Sequence, residues 1–131
     1  MKEISIKHLE PVFEDERGKI FDILDDEVIL HVGLITAKIG AVRGNHYHNR
    51  AKQYNYILEG KFELRIRDIN ESEKNEKRYI LEKGDFVRIP NGLVHTLIAL
   101  KDSKFLDLNT ESRSGSGYEE DTIRVGHDTG I

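Results

Sequence analysis

The sequence predicts an all-β domain, built as an antiparallel sandwich or barrel. Apolar and polar residues alternate with a period of two over much of the chain, and no long helical pattern is present. Short strand-like runs recur at a spacing of roughly ten residues with turn residues between them, which is typical of sandwiches and barrels. A chain of 131 residues is long enough to bury the core of one such domain.

The strands can be placed in chain order from this alternation. It is clearest where Phe62, Leu64 and Ile66 alternate with charged residues, so that one face is apolar and the other is wet. Gly60 precedes this run and can supply the positive φ that a tight hairpin requires. The predicted strands are 20–24, 28–39, a hairpin over 54–68, two short strands on either side of Gly84, 93–100 and 104–109.

Composition narrows the classes of function. The chain has no cysteine, which excludes disulfides and thiolate metal sites. The net charge is −4 with acids and bases interspersed, so we expect no nucleic-acid partner. The N-terminus lacks the apolar core of a signal peptide, and the longest apolar run, from Val28, is too short to cross a bilayer. We therefore expect a cytoplasmic domain without a membrane partner.

Histidines are the candidate functional residues. His46 and His48 lie one residue apart in a predicted strand, so their side chains share a face. Gln53 opens the next strand, and His95 follows a turn much later in the chain. Three imidazoles and an amide oxygen converge only if strands from both halves of the chain line one cavity. A β-barrel provides that arrangement, because alternate residues of each strand face inward.

The spacing around these residues resembles the two motifs of the cupin superfamily. The first motif is carried by Gly40, five residues, His46-x-His48, four residues, Gln53, six residues and Gly60. The second is carried by Gly84, five residues, Pro90-x-Gly92, two residues and His95. The resemblance implies a single-domain jelly-roll β-barrel over about residues 18–110, followed by a polar tail at 111–131, and a homodimer.

The cupin resemblance also implies a candidate metal site. In metal-binding members the positions of His46, His48, Gln53 and His95 supply the ligands, and the resemblance implies one divalent ion, Zn, Fe, Ni or Mn. Most members have Glu where this chain has Gln53, so an oxygen donor remains but a negative charge is lost. That loss should weaken cation binding. One metal ion and no cofactor both remain open.

A second resemblance points to metal-free chemistry. The segment "VRGNHYH" is similar to the Arg-Gly-x-His segment of cupins that act on nucleotide-linked deoxysugars, the 3,5-epimerases and 3,4-ketoisomerases. The ketoisomerases also carry His-x-His followed after four residues by Gln, as at 46, 48 and 53. "DERGKIFDI" from Asp15 and "YEEDTIR" from Tyr118 resemble further segments of these proteins. Those enzymes move a proton next to a ketone with a histidine.

This resemblance assigns a role to each candidate residue. His46 would be the general base, and His48 would orient it or relay the proton. Arg43 and Arg17 would hold the diphosphate, for which a planar guanidinium is well suited, and Gln53 would also contact substrate. The tyrosine acid of the epimerases has no clear counterpart, and the candidates are Tyr47, Tyr54 and Tyr56.

The sequence therefore predicts an isomerase or epimerase-like enzyme that acts on a nucleotide-linked keto-deoxysugar by histidine proton transfer. Two alternatives remain open: a metal-dependent cupin enzyme with a His-His-Gln-His site, and a non-catalytic cupin that binds a sugar or another small ligand. The expected partner in each case is a small molecule.

Overall fold

The structure is a computed structural model that describes residues 3–114 and 116–125. The protein is built mainly from two antiparallel sheets. Each sheet has five strands, and the two sheets enclose the core between them. In spatial order the first sheet contains β1 (Ser5–His8), β9 (Asp85–Ile89), β6 (Gln53–Glu59), β11 (Ser103–Asn109) and β4 (His31–Ala37). The second contains β12 (Thr122–Arg124), β5 (Val42–His48), β10 (Leu93–Ala99), β7 (Lys61–Asp68) and β8 (Lys77–Glu82).

Three smaller elements complete the described chain. A hairpin of β2 (Phe13–Asp15) and β3 (Gly18–Ile20) stands apart from both sheets. A 3₁₀ turn, Glu73–Asn75, lies between β7 and β8, and a short helix, α1 (Gly117–Asp121), precedes β12. Among the residues described, no helix has the length and apolar character needed to cross a membrane.

The apolar core lies between the two sheets. Phe62 from the second sheet meets Phe105 from the first edge to face, with ring centroids 5.3 Å apart. Both rings are fully buried, and aliphatic side chains from six strands pack around them. The other members are Ala37, Ile57, Leu64, Ile66, Leu81, Val87, Ile89, Leu93, Leu97 and Ala99. The all-β jelly-roll prediction is confirmed, with the sheets forming an open sandwich rather than a fully closed barrel.

The hairpin predicted over residues 54–68 is wrong in its pairing. Both strands exist, but β6 pairs with β9 and β11, whereas β7 pairs with β8 and β10. The chain crosses from one sheet to the other at Gly60, which has a φ of +90°. A Cβ at this position would collide with Ser103, so the crossing requires glycine. Local alternation fixes the strands, but it does not say which sheet each one joins.

Strand boundaries near the N-terminus also differ from the prediction. The strand predicted at 20–24 is wrong beyond Ile20, where β3 ends, because residues 21–24 have no ladder partner in the described chain. The strand predicted at 28–39 is confined to His31–Ala37.

Strands outside residues 18–110 join both sheets. β1 pairs with β9 at one edge of the first sheet, and β12 pairs with β5 at one edge of the second. The predicted tail therefore contains a helix and a strand, and its last residues, 126–131, lie outside the part of the chain described.

Candidate functional site

The three histidines meet inside the sandwich. His46 on β5 lies directly opposite His95 on β10, and their ring centroids are 4.8 Å apart. His48, the next inward residue of β5, lies 5.0 Å from His46 and 5.5 Å from His95, measured between centroids. The three residues are 0, 2 and 5% exposed for His46, His48 and His95. The predicted convergence of His46, His48 and His95 is therefore present.

A β-bulge in β5 gives the site its geometry. His46 is opposite His95, but Thr96, the next residue of β10, is opposite Gly44, so Asn45 is the extra residue. Both bulge residues have positive φ, +93° at Gly44 and +67° at Asn45. A Cβ on Gly44 would lie 2.6 Å from the His95 carbonyl oxygen. Glycine thus allows β5 to approach the backbone that carries His95.

The bulge also directs Arg43 into the site. Arg43 lies opposite Leu97, a core residue, so it leaves the strand on the inner side. Its Nη2 donates to the backbone carbonyl of Thr36 on the other sheet at 3.0 Å. Without the bulge, a separation of three residues would place Arg43 and His46 on opposite faces. Arg43 and His46 therefore share the sandwich interior.

Gln53 links His48 to a buried carboxylate. The Gln53 amide nitrogen donates to Asp107 Oδ1 at 3.0 Å, and Asn55 donates to the same oxygen at 2.9 Å. This fixes the amide so that its Oε1 faces His48 Nε2 at 3.1 Å. Because an amide oxygen only accepts hydrogen bonds, His48 carries a proton on Nε2 in this arrangement. Asp107 thereby determines, through Gln53, which nitrogen of His48 is protonated.

The other nitrogen of His48 faces the C-terminal segment. Its Nδ1 lies 3.2 Å from the Thr122 hydroxyl, which also contacts the Tyr118 carbonyl oxygen at 2.7 Å. Asp121 Oδ2 is 3.8 Å from the same nitrogen. The Asp121 carboxylate also accepts hydrogen bonds from the backbone nitrogens of Arg50 and Ala51, at N···O distances of 2.6 and 3.0 Å. Both ring nitrogens of His48 are therefore in contact with protein groups.

His95 presents a different pattern. Its Nδ1 lies 3.1 Å from the Leu93 carbonyl oxygen, which only accepts, so this nitrogen carries the proton. Nε2 of the neutral ring then carries a lone pair and no proton. It is buried and has no hydrogen-bond partner among the residues described. His95 consequently offers an available nitrogen lone pair inside the cluster.

Burial dominates the electrostatics of the site. Burial, assisted by the charge of His46, lowers the pKa of His48 to about 4. Burial and the neighbouring histidines hold the pKa of His95 well below its usual range. Burial raises the pKa of Asp107 to about 6, although hydrogen bonds from Gln53 and Asn55 oppose that rise. At neutral pH the rings of His48 and His95 are neutral and Asp107 is ionised.

Tyr118 lies beside His48, and Arg113 lies over the Tyr118 ring. The Tyr118 ring centroid lies 5.8 Å from that of His48, and the Arg113 guanidinium carbon lies 3.9 Å from the Tyr118 centroid. The Tyr118 hydroxyl is buried and has no hydrogen-bond partner in the described chain. Among the tyrosines singled out from sequence, Tyr54 instead donates to Glu27 at 3.0 Å. Tyr118 is thus the tyrosine that the structure brings beside His48.

Arg17 is not brought together with the histidines in this chain. It lies in the β2–β3 hairpin with its side chain 80% exposed. Its guanidinium contacts Asp15 of the same hairpin, with Nη2 2.6 Å from Oδ2. Its assignment to the diphosphate stays a prediction.

The donor set also fits a metal ion. The three histidines offer nitrogen atoms that lie within 4.8 Å of one another. His95 is oriented by a hydrogen bond from its second nitrogen to a backbone carbonyl, as metal-bound histidines usually are. His48 Nε2 and Gln53 Oε1 would have to exchange their mutual hydrogen bond for bonds to the ion. Imidazole nitrogen and amide oxygen suit a divalent transition metal.

Sequence reasoning assigned no role to Asp107, Asp121, Tyr118 or Arg113, although Tyr118 and Asp121 lie in the segment "YEEDTIR" that resembles the nucleotide-sugar cupins. Asp107 had a signal, since it occupies an inward position between Phe105 and Asn109 in an alternating strand. The other three lie in the predicted tail, where no periodic pattern indicated that the chain returns to β5.

Comparison with known proteins agrees with this architecture. A family model described as the polysaccharide biosynthesis C-terminal domain matches residues 13–120. No curated protein matches the sequence. Solved structures with the same cupin fold include the sugar 3,4-ketoisomerase QdtA from Thermoanaerobacterium thermosaccharolyticum, in complex with TDP. It has a TM-score of 0.73 and 21% identity, over 94% of this chain and 88% of that one.

Two further structures share the fold. The TDP-quinovose 3,4-ketoisomerase WlaRB from Campylobacter jejuni has a TM-score of 0.77 and 19% identity, over 95% of each chain. The RmlC epimerase from Mycobacterium tuberculosis has a TM-score of 0.76 and 18% identity, over 93% of this chain and 68% of that one.

Proposed function

The chain belongs to the polysaccharide biosynthesis C-terminal domain family, and we propose that it is an isomerase of nucleotide-linked keto-deoxysugars that works by histidine proton transfer. The observation that carries this proposal is the buried histidine cluster. Arg43 points into the same interior of the sandwich as the histidines. Imidazole is a suitable base for a proton next to a carbonyl, because its ordinary pKa lies close to neutrality. The ketoisomerases of the same fold support the choice of substrate class.

The proposed reaction moves a carbonyl group between neighbouring carbons of the sugar. His46 removes the proton from C3 of a 4-keto sugar, and the electrons of the C–H bond form an enediol. A proton is then returned to C4, and the hydroxyl proton passes from O3 to O4, so the product is a 3-keto sugar. No atoms are gained or lost, and no redox cofactor is required.

The remaining residues support His46 in this scheme. His48 is held by Gln53 and Thr122, so we assign it a positioning role. His95 packs edge-on against His46 and stays neutral, so we assign it a positioning role as well. Arg43 would bind the diphosphate. Gln53, predicted to contact substrate, would have to exchange its hydrogen bond with His48 or Asp107 for one to the sugar.

Product analysis tests this proposal. Chelator-treated protein is incubated with TDP-4-keto-6-deoxyglucose, the ligand of one related QdtA structure, and the carbonyl carbon is followed by ¹³C NMR. We expect a new 3-keto product with wild type and none with His46→Asn. Tight binding without turnover would favour a non-catalytic sugar-binding protein instead. Absence of both would contradict the proposal.

A metal-dependent enzyme is the second candidate, favoured by the close approach of the histidine nitrogens. His46, His48, Gln53 and His95 would hold the ion, which when bound would polarise a substrate oxygen. Metal content of untagged protein, measured by plasma mass spectrometry, tests this candidate. About one transition-metal ion per chain, lost in both His48→Ala and His95→Ala, would support it.

We also propose that the protein forms a homodimer. The edge strand β4 carries Val32 and Leu34 on its outer face, each 61% exposed, and Leu30 precedes them with 59% exposure. An apolar edge strand of this kind favours pairing with another chain. Sedimentation should give a dimer for wild type and a monomer for the double substitution Val32→Glu and Leu34→Glu. A cytoplasmic location stays a prediction.

A further inference from the structure

We propose that Arg113, stacked on Tyr118, forms an anion-binding subsite for the diphosphate of the substrate. This inference rests on the proposed function, and it names a residue outside the segments that resemble known enzymes. Arg113 lies in the stretch "SRSGSG" between the last strand of the first sheet and α1.

Stacking holds Arg113 at the histidine end of the sandwich. The guanidinium carbon lies 3.9 Å from the centre of the Tyr118 ring, within the range of a cation–π contact. Tyr118 is 8% exposed and lies beside His48. The α1 segment is in turn attached to the loop before β6, since Asp121 accepts backbone N–H groups there. The platform under Arg113 is therefore fixed to the wall of the site.

The charge of Arg113 reaches groups on both sheets. It lowers the pKa of His31 and opposes the rise in the pKa of Asp107, both on the first sheet. It also lowers the pKa of His48 on the second sheet. His48 and Asp107 are joined through Gln53, and Tyr118 places Arg113 at this same end of the sandwich.

The guanidinium itself is available to a ligand. Arg113 is exposed, and its guanidinium makes no hydrogen bond or ion pair with residues 3–114 or 116–125. Guanidinium groups bind phosphate oxygens through two parallel N–H donors, and stacking leaves those donors free at the edge of the plane. With Arg43 inside the sandwich, the site would hold cations at two depths. A diphosphate between sugar and nucleoside has the matching charge.

Arg88 provides a matched control. Its guanidinium carbon also lies over aromatic rings, 5.5 Å from the centroids of both Tyr54 and Phe86. Arg88 is already paired with Asp26, with Nη1 3.2 Å from Oδ1. Arg88→Gln thus removes a stacked arginine that has a carboxylate partner.

Calorimetric titration with TDP, inorganic pyrophosphate and thymidine tests the subsite. We expect Arg113→Gln to raise the Kd for TDP about tenfold, since a charge-assisted hydrogen bond is lost. The Kd for pyrophosphate should rise in parallel, and the Kd for thymidine should equal that of wild type. Arg113→Lys should give an intermediate Kd, and Arg88→Gln should leave all three unchanged. Tyr118→Leu should reproduce the loss for TDP, whereas Tyr118→Phe should not.

The outcomes separate this inference from the proposed function. A folded Arg113→Gln protein that binds TDP and pyrophosphate as tightly as wild type would overturn the subsite and leave the isomerase proposal intact. If wild type binds pyrophosphate through Arg113 but binds TDP no more tightly, the subsite stands and the nucleotide-linked substrate is wrong. Wild type that binds neither anion would overturn both.

Discussion

The interior of the sandwich has an apolar half and a polar half, and the same strands supply both. On β6 the inward residues change from Gln53 and Asn55 to Ile57. On β11 they change from Asp107 to Phe105 within two residues. β10 departs from this rule, because its inward His95 lies between Leu93 and Leu97, which both belong to the apolar core.

The two halves contribute differently to stability and function. The apolar half removes hydrocarbon from water and needs no directional contacts. The polar half buries imidazoles and a carboxylate, and burial shifts their pKa values toward the neutral forms. Hydrogen bonds within the polar half offset part of this cost. A fold that needed only stability would continue the apolar pattern, so the polar half indicates chemistry.

The largest effect on stability should follow a change in the apolar half. Phe105→Ala should lower the free energy of unfolding by about 3–5 kcal/mol, because it leaves a cavity between the sheets. Urea unfolding followed by circular dichroism measures this loss. A decrease in the free energy of unfolding of less than about 1 kcal/mol would show that packing around Phe105 contributes little to stability.

The corresponding change in the polar half should affect turnover instead. His46→Asn should lower kcat by about 10²–10⁴-fold, the range expected for loss of a general base. Its unfolding free energy should remain close to that of wild type. Steady-state kinetics with TDP-4-keto-6-deoxyglucose, beside urea unfolding, measures both. A variant that unfolds readily but retains its kcat when folded would reverse the assignment.

The pH dependence of stability should distinguish the halves. Folding lowers the pKa of His48 from 6.5 to about 4, so between these values the unfolded chain binds more protons than the folded protein. The free energy of unfolding is therefore highest above pH 6.5 and falls as the pH drops toward 4. His95 acts in the same direction. Asp107 acts oppositely between 3.8 and about 6, because its pKa is raised. Chelator-treated protein should lose about 3 kcal/mol between pH 7 and 4.5.

Variants sharpen this test. His95→Asn should flatten the stability profile, since one of the depressed imidazole pKa values is removed. Phe105→Ala should lower the whole profile without changing its slope. A slope that is the same in His95→Asn and wild type would contradict the account.

The smallest effect should come from Asp107→Asn. The raised pKa of Asp107 shows that its ionised form is disfavoured in the fold, so at pH 8 the substitution should stabilise by about 1 kcal/mol. The new side chain retains an oxygen that can accept from Gln53. Urea midpoints of the two proteins at pH 8 make the comparison. A marked loss of stability would mean that the carboxylate is structurally required.

Much of this arrangement could be predicted from local patterns. Alternation indicated the strands, and the spacing around His46, His48, Gln53 and His95 indicated that they converge, as they do. Asp107 could have been found as a polar residue at an inward position.

Other features depend on contacts that local patterns do not encode. The inward direction of Arg43 results from the bulge at Gly44 and Asn45, which only the register with β10 reveals. The exchange of sheets at Gly60 and the return of Tyr118 to His48 are long-range contacts without periodic signals.

Solvent exchange into the sugar is the most direct test of the central claim, that the polar half moves a proton. Chelator-treated wild type is mixed with TDP-4-keto-6-deoxyglucose in D₂O, and deuterium on the sugar ring is measured by mass spectrometry and proton NMR. Our account predicts deuterium at a carbon next to the carbonyl with wild type and Phe105→Leu, and loss of exchange with His46→Asn. Folded wild type that binds the sugar nucleotide but exchanges no ring proton would contradict it.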